Sequence, residues 1–230
     1  MLPRYPFLVK VYAFSHSIPF NDSVTVMRIV ELSGGRVLID GTDTREVGLA
    51  KLRRNLAVIP QDPVLFSGSL RANLDPFSDF PDEQLYETLE KVGLYKGRSL
   101  ADSSHSLSSL VNVRVDSLEY PVSEGGSNFS VGQRQLLVIA RALLRGARIV
   151  IVDEATASVD TETDAAIQKV MRKEFTDATV ITVAHRINTI TDSDFILVMD
   201  DGKAAEFDEP KNLLEKGGMF RDLVRAAAHD

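Results

Sequence analysis

The chain has 230 residues, of which 44% are hydrophobic and 26% charged, a balance that supports a full core and excludes global disorder. The formal net charge of -7 argues against non-specific nucleic-acid binding, so we expect no nucleic-acid partner. The sequence has no cysteine, which excludes disulfides and thiolate metal sites. No apolar run reaches the roughly 18–20 residues that a membrane-spanning helix needs.

Residues 1–26 differ from the rest of the chain, because they contain no glycine and show no regular spacing of apolar residues. Two short strands are predicted next, at Arg36–Asp40 and Asn55–Ile59, because a glycine and a proline end them. Asp82–Gly93 reads as a helix with one apolar face and a closing glycine. Residues 97–127 are polar and are predicted to be mostly loop.

The rear of the chain carries the most regular elements. Val131–Arg145 is predicted to be a helix because its apolar residues form one stripe and Gly146 follows it. Three apolar runs without alternation are typical of strands buried on both faces of a parallel sheet: Ile149–Val152, Thr179–Ala184 and Phe195–Met199. A helical stretch at Thr161–Phe175 separates the first two runs, so the sequence predicts an α/β fold.

Two carboxylates, Asp153 and Glu154, directly follow the first of these strands. Ligands of open α/β sheets bind beyond the carboxyl ends of the strands, where a carboxylate can hold Mg²⁺. The next carboxylate can orient or deprotonate an attacking water. A strand that simply ends in a solvated acidic turn has the same pattern, so this pair alone leaves both readings open.

The segment Ser130-Val-Gly-Gln133 immediately precedes the best predicted helix. Ser130 can cap that helix, and the free N–H groups that follow it favour an anion. A capped surface helix would explain Ser130 but neither Gly132 nor the run Gln133-Arg-Gln135. The segment therefore predicts an anion site at the start of the helix.

These segments together resemble the nucleotide-binding domain of an ABC transporter. Ser130–Gln133 resembles the family signature, usually Leu-Ser-Gly-Gly-Gln, although Val131 replaces a glycine and Phe129 a leucine. Three further segments resemble the Q-loop, the D-loop and the switch-histidine segment, in family order: Val58–Asp62, Ala157–Asp160 and Val183–Arg186.

The stretch Gln61–Phe77 is similar to the second nucleotide-binding domain of the multidrug-resistance-associated (C) branch. In that branch the signature of this domain often carries valine and completes a degenerate ATP site with the first domain. The resemblance covers residues 27–226. It implies a P-loop NTPase-type fold within residues 27–230, mostly parallel in its sheet, with an antiparallel β portion and a helical subdomain at about 70–145.

The resemblance also implies ATP and Mg²⁺ as ligands and a role for each matching residue. Glu154 would be the general base, and His185 would touch the terminal phosphate. Gln61 would contact the metal with Asp153 and sense the transmembrane partner. The remaining residues would serve a nucleotide held by a second domain in a head-to-tail dimer: Ser130, Val131, Gly132, Gln133 and Asp160.

The phosphate clamp of the family, G-x-x-x-x-G-K-[ST], is missing from this sequence. By family spacing it would fall near residues 11–21, yet the first glycine is Gly34. Without glycine the backbone cannot approach phosphate closely. We therefore interpret residues 1–26 as foreign to the domain, through an altered start, a frameshift or a truncated gene copy, and expect feeble ATP binding.

Two functions follow from this combination. The first is an ATP-hydrolysing domain of an ABC exporter, impaired by the missing clamp and held at the cytosolic face of a membrane by transmembrane domains. The alternative is a non-catalytic module or truncated product that lends its signature face to another nucleotide-binding domain. A chromosome-maintenance ATPase would need long coiled coils, and the sequence has no heptad run.

Overall fold

The computed structural model describes residues 26–31, 34–95, 116–153, 159–183, 193–201 and 203–227. These residues cluster into two compact units. The sheet unit contains the described residues within Met1–Val58, Ala147–Glu154 and Thr176–Asp230, and the helical unit contains those within Ile59–Gly146 and Ala155–Phe175. The subdomain bounds of about 70–145 stay a prediction.

The described strands and helices follow one another in a mixed order. The strands are β1 (Leu38–Ile39), β2 (Thr42–Asp43), β3 (Leu56–Ile59), β4 (Gly68–Ser69), β5 (Pro121–Val122), β6 (Ile149–Asp153), β7 (Thr179–Val183), β8 (Ile196–Asp200) and β9 (Lys203–Asp208). The helices are α1 (Leu49–Arg54), α2 (Leu70–Leu74), α3 (Asp82–Lys91), α4 (Val131–Arg145), α5 (Thr161–Glu174), α6 (Pro210–Lys216) and α7 (Met219–Ala227). Short 3-10 turns lie at Thr44–Glu46 and Glu124–Gly126. The predicted α/β class is confirmed.

The central sheet has the strand order β3-β6-β7. Strands β6 and β7 are parallel and in register from Ile149 opposite Thr179 to Asp153 opposite Val183. Val150 and Ile151 in the middle of β6 are completely buried. The first two apolar runs therefore form the parallel pair that their lack of alternation predicts.

The prediction that the third apolar run, Phe195–Met199, belongs to the parallel sheet is wrong. β8 pairs antiparallel with β9 in a separate two-stranded sheet, rather than joining the parallel one. Its side chains are apolar because Ile196 and Val198 pack in a core cluster with Leu213 of α6 and Phe220 of α7. Helices, not a second sheet neighbour, therefore explain this run.

The helical unit is built around α4. Ser130 caps this helix, and Gly146 ends it in the left-handed conformation with a φ of 58°, so the predicted bounds are confirmed. Along α4 pack α2, α3 and α5. Leu137 and Ile139 are completely buried within the unit.

Several predicted features lie outside the described residues. They are the block before Val26, most of the polar stretch 97–127, and the segments that contain Glu154 and His185. Among the described residues, no helix is long and apolar enough to span a membrane.

Candidate functional site

The first turn of α4 is closed by a reciprocal capping box. The backbone N–H of Gln133 donates to Ser130 Oγ at 3.2 Å, and the N–H of Ser130 donates to Gln133 Oε1 at 2.8 Å. The sequence Ser-x-x-Gln favours this arrangement because each side chain satisfies the backbone of the other residue. Helix geometry leaves the N–H groups of Val131 and Gly132 without intrahelical acceptors, so they are available to an anion.

Gly132 lets α4 approach α5 closely. A Cβ atom at this position would lie 2.3 Å from Thr163 Cγ2 and 3.7 Å from Val159 Cγ1. Any larger residue would have to push these side chains away. The glycine therefore brings the first turns of α4 and α5 side by side.

Asp160 caps α5 next to this contact. Its Oδ1 accepts the backbone N–H of Thr163 at 3.0 Å, and hydrogen bonds from the backbone and side chain of Thr163 lower the pKa of the Asp160 carboxyl. Two further acids, Glu162 and Asp164, lie in the first turn of α5. The structure thus brings the predicted residues Ser130, Val131, Gly132, Gln133 and Asp160 together in the helical unit.

Gln61 is exposed and lies two residues beyond the end of β3. The backbone on either side of it is tied to α4, because Gln135 Nε2 donates to the carbonyl of Pro60 at 3.2 Å and Arg141 Nη1 to that of Val64 at 2.7 Å. The position of Gln61 therefore depends on the helix that also carries the signature.

Asp153 lies at the carboxyl end of β6 in the sheet unit and is half-buried. Taken separately, the Asp153 carboxylate and the Gln61 amide oxygen are each hard donors of the kind that Mg²⁺ takes with phosphate and water, so each side chain has the chemistry that this ion prefers. The described residues contain no group of three or more His, Cys, Asp or Glu that could hold a metal. Glu154 and His185 lie outside the described residues.

Sequence reasoning assigned no role to four residues that shape the site: Leu65, Gly126, Gln135 and Arg141. Leu65 packs where a side chain on Gly126 would be, since a Cβ atom there would lie 2.6 Å from Leu65 Cδ1. Gln135 and Arg141 bind backbone carbonyls from within the apolar helix α4. Polar residues inside an otherwise apolar stripe were the available signal, because such groups need partners when buried.

Comparisons with known proteins point to the same family as the motifs of the sequence. The ABC transporter family model matches residues 24–157. An ABC transporter C family member 13 from Oryza sativa subsp. indica is 49% identical over 200 residues, which are 86% of this chain and 12% of that protein. ATP-binding cassette sub-family C member 3 from Rattus norvegicus is 47% identical over 205 residues, which are 89% of this chain and 13% of that protein.

A solved structure is similar over nearly the whole chain. It is a bacterial Atm1-family ABC exporter with ATP bound, and it superposes with a TM-score of 0.81 at 28% identity, covering 96% of this chain and 37% of that one. The predicted fold of an ABC nucleotide-binding domain is therefore confirmed. The chain spans about an eighth of the length of the curated relatives that it matches.

Proposed function

Because the chain belongs to the ABC transporter family, we propose that it is a nucleotide-binding domain that presents the first turn of α4 to ATP held by a second such domain. The observation that carries this proposal is the pair of neighbouring helix starts. α4 has no acidic residue in its first turn, whereas α5 has two. The positive end of the α4 dipole is thus left for an external anion.

The chemistry offered at α4 suits a terminal phosphate. The N–H groups of Val131 and Gly132 can donate to phosphate oxygens, and so can the hydroxyl hydrogen of Ser130, whose oxygen accepts from Gln133. Asp160 fixes the neighbouring helix start. In this proposal the second domain holds the nucleotide and this chain closes over its far side in a head-to-tail dimer.

The proposal assigns the other predicted residues to the chain's own nucleotide site. Asp153 and Gln61 would hold Mg²⁺, Glu154 would accept the proton of the attacking water, and His185 would donate to the terminal phosphate. Mg²⁺ supplies charge neutralisation on the phosphates when bound. The 230-residue sequence has no G-x-x-x-x-G-K-[ST], the motif whose backbone cradles phosphates, and we expect turnover at this site to be weak.

A transmembrane partner is proposed for a second surface of the helical unit. Phe66 and Phe77 are 69% and 80% exposed, although the backbone around them is held in place. The side chain of Asn73 bonds both the N–H and the carbonyl of Phe66, and buried Asp75 accepts the N–H groups of Asp79 and Phe80. Apolar side chains on fixed backbone lose little entropy on binding, so each of these phenylalanines suits contact with a protein partner. We propose a transmembrane domain at the cytosolic face of a membrane, because the solved structure that the chain resembles is that of an ABC exporter.

The experiment mixes the 230-residue chain with the first nucleotide-binding domain of a C-subfamily relative and measures ATP turnover. Ser130→Ala should reduce the stimulation of the partner, whereas Glu154→Gln should leave it unchanged, because Glu154 serves only the chain's own site. The second candidate function is an autonomous ATPase, which is supported by the position of Asp153 at the end of a strand. ATP turnover by the chain alone that is lost in Glu154→Gln would favour this candidate. Equal stimulation by the wild type and Ser130→Ala would refute the proposal.

A further inference from the structure

Residues Pro60–Phe66, here called the Pro60 segment, are bound at two places to one helix. Gln135 Nε2 donates to Pro60 and Arg141 Nη1 donates to Val64, both at backbone carbonyls. Gln135 and Arg141 are six positions apart on α4. The segment that contains Gln61 is therefore anchored along almost two turns of the signature helix.

The far end of the segment is fixed by a network around Arg141. Arg141 Nε donates to the carbonyl of Asn73 at 2.6 Å and Nη2 donates to Asn73 Oδ1 at 2.9 Å. The same Asn73 amide pairs with the backbone of Phe66 through bonds of 2.9 and 2.8 Å. The exposed Phe66 side chain thus stands on backbone that is linked to α4 by continuous hydrogen bonds.

A third contact reaches the start of α4. Leu65 is 2% exposed and fills the space beside Gly126, four residues before Ser130. Gly126 has a φ of 70°, so glycine suits the backbone as well as the packing. The Pro60 segment therefore packs directly against the loop that leads into the signature.

Stability alone does not explain Gln135. This side chain is completely buried, and its Oε1 has no hydrogen-bond partner among the described residues. An orphan buried acceptor costs free energy, and a leucine of similar size would avoid that cost. What Gln135 provides that leucine cannot is the bond to Pro60.

We propose that Gln135 and Arg141 are positioning residues that make the Pro60 segment and the first turn of α4 move as one body, so that a partner docking on Phe66 displaces Ser130–Gln133. This inference rests on the proposed function for both surfaces. It assigns the coupling between them to side chains that touch neither nucleotide nor partner.

The first test uses the full 230-residue chain alone and follows amide hydrogen exchange at Phe66. Gln135→Leu should leave the thermal midpoint within a few degrees of the wild type while raising exchange at Phe66 about tenfold, because release at Pro60 loosens the whole segment. Gln168→Leu on α5 is the matched control and should change neither quantity. Arg141→Lys, which keeps the charge but loses the forked donors, should also raise exchange at Phe66. Unchanged exchange in both variants would overturn the one-body account.

The second test is a double-mutant cycle in the assembled exporter, with nucleotide release from the second domain as the readout. In the wild-type background, Phe66→Ala should change the rate of nucleotide release roughly threefold to thirtyfold. In the Gln135→Leu background, the same substitution should leave the rate unchanged. Additive effects would overturn the coupling while leaving the proposed function intact. No effect of Phe66→Ala in either background would refute the proposed docking surface and, with it, the transmission to the signature.

Discussion

The starts of α4 and α5 lie side by side but differ in the charge of their capping and first-turn residues. α5 is capped by Asp160 and carries Glu162 and Asp164 in its first turn, so acidic side chains of the helix itself stabilise the positive end of its dipole. α4 is capped by the neutral Ser130 and carries no acid in its first turn. The contrast teaches that acidic side chains of the chain itself stabilise one helix start and not the other, which is the start that the proposed function assigns to a phosphate from outside.

The largest effect is expected where the two helices touch. Gly132→Ala places a Cβ atom against Thr163 Cγ2, and overpacking of this kind should outweigh the better helix propensity of alanine, lowering the free energy of unfolding by about 1–2 kcal/mol. Urea unfolding of the 230-residue chain measures this.

Thr163→Ser supplies the rescue, because it removes Cγ2 and keeps the hydroxyl. The double variant should recover most of the lost stability. Gly34→Ala is the control, since no atom lies within 4 Å of a Cβ there and Gly34 does not have a positive φ. A Gly132→Ala chain as stable as the wild type would mean that the close approach of the helices is unimportant.

Loss of the neutral cap has the next largest effect. Ser130→Ala removes the acceptor for the N–H of Gln133 and should lower the free energy of unfolding by about 1 kcal/mol. Ser130→Asp keeps an acceptor and should not be destabilised. If both variants lost the same stability, the capping box would not hold the start of α4.

Giving α4 the charge that α5 already has should separate stability from function. Val131→Asp adds an acid beside the positive end of the dipole and should raise the free energy of unfolding by about 0.5 kcal/mol. Val131→Asn is the neutral control with little change. If Val131→Asp lowered the free energy of unfolding, the positive end of the α4 dipole would not be available to a negative charge.

The smallest effect is a pH dependence confined to α5. The pKa of Asp160 is lowered from 3.8 in the folded chain, so its stabilisation is complete above pH 3.8 and is lost as the pH falls through the folded pKa. The stability difference between the wild type and Asp160→Asn should therefore shrink below pH 3.8, whereas that between the wild type and Ser130→Ala should not. Urea titrations across this range test it, and a constant difference for Asp160 would contradict the assignment.

Local pattern predicted α4 from end to end, because its cap, apolar stripe and closing glycine are all adjacent in the sequence. It missed β9, whose residues are mostly exposed, although the sequence Asp-Gly that precedes it favours a hairpin turn. Local pattern also could not pair Phe195–Met199 with β9, since burial by helices and burial inside a sheet select the same side chains.

In the candidate site, too, some features follow from the local sequence and others only from the fold. Ser130 and Gly132 are recognisable from their place before an apolar helix. The bonds of Gln135 and Arg141 to the Pro60 segment join residues 75 and 77 positions apart, and such contacts leave no periodic trace in the sequence. Only the fold reveals that Gln61 and the signature are tied to one helix.

The most direct test of the central claim is the rate at which a fluorescent ATP analogue leaves a second nucleotide-binding domain with an intact phosphate clamp. Saturating wild-type chain should slow release by about tenfold, because charge-assisted hydrogen bonds from the start of α4 close the far side of the phosphate. The Val131→Asp chain, folded and no less stable, should leave the rate unchanged. Equal slowing by both chains, or by neither, would contradict the claim that α4 is prepared for a partner's nucleotide.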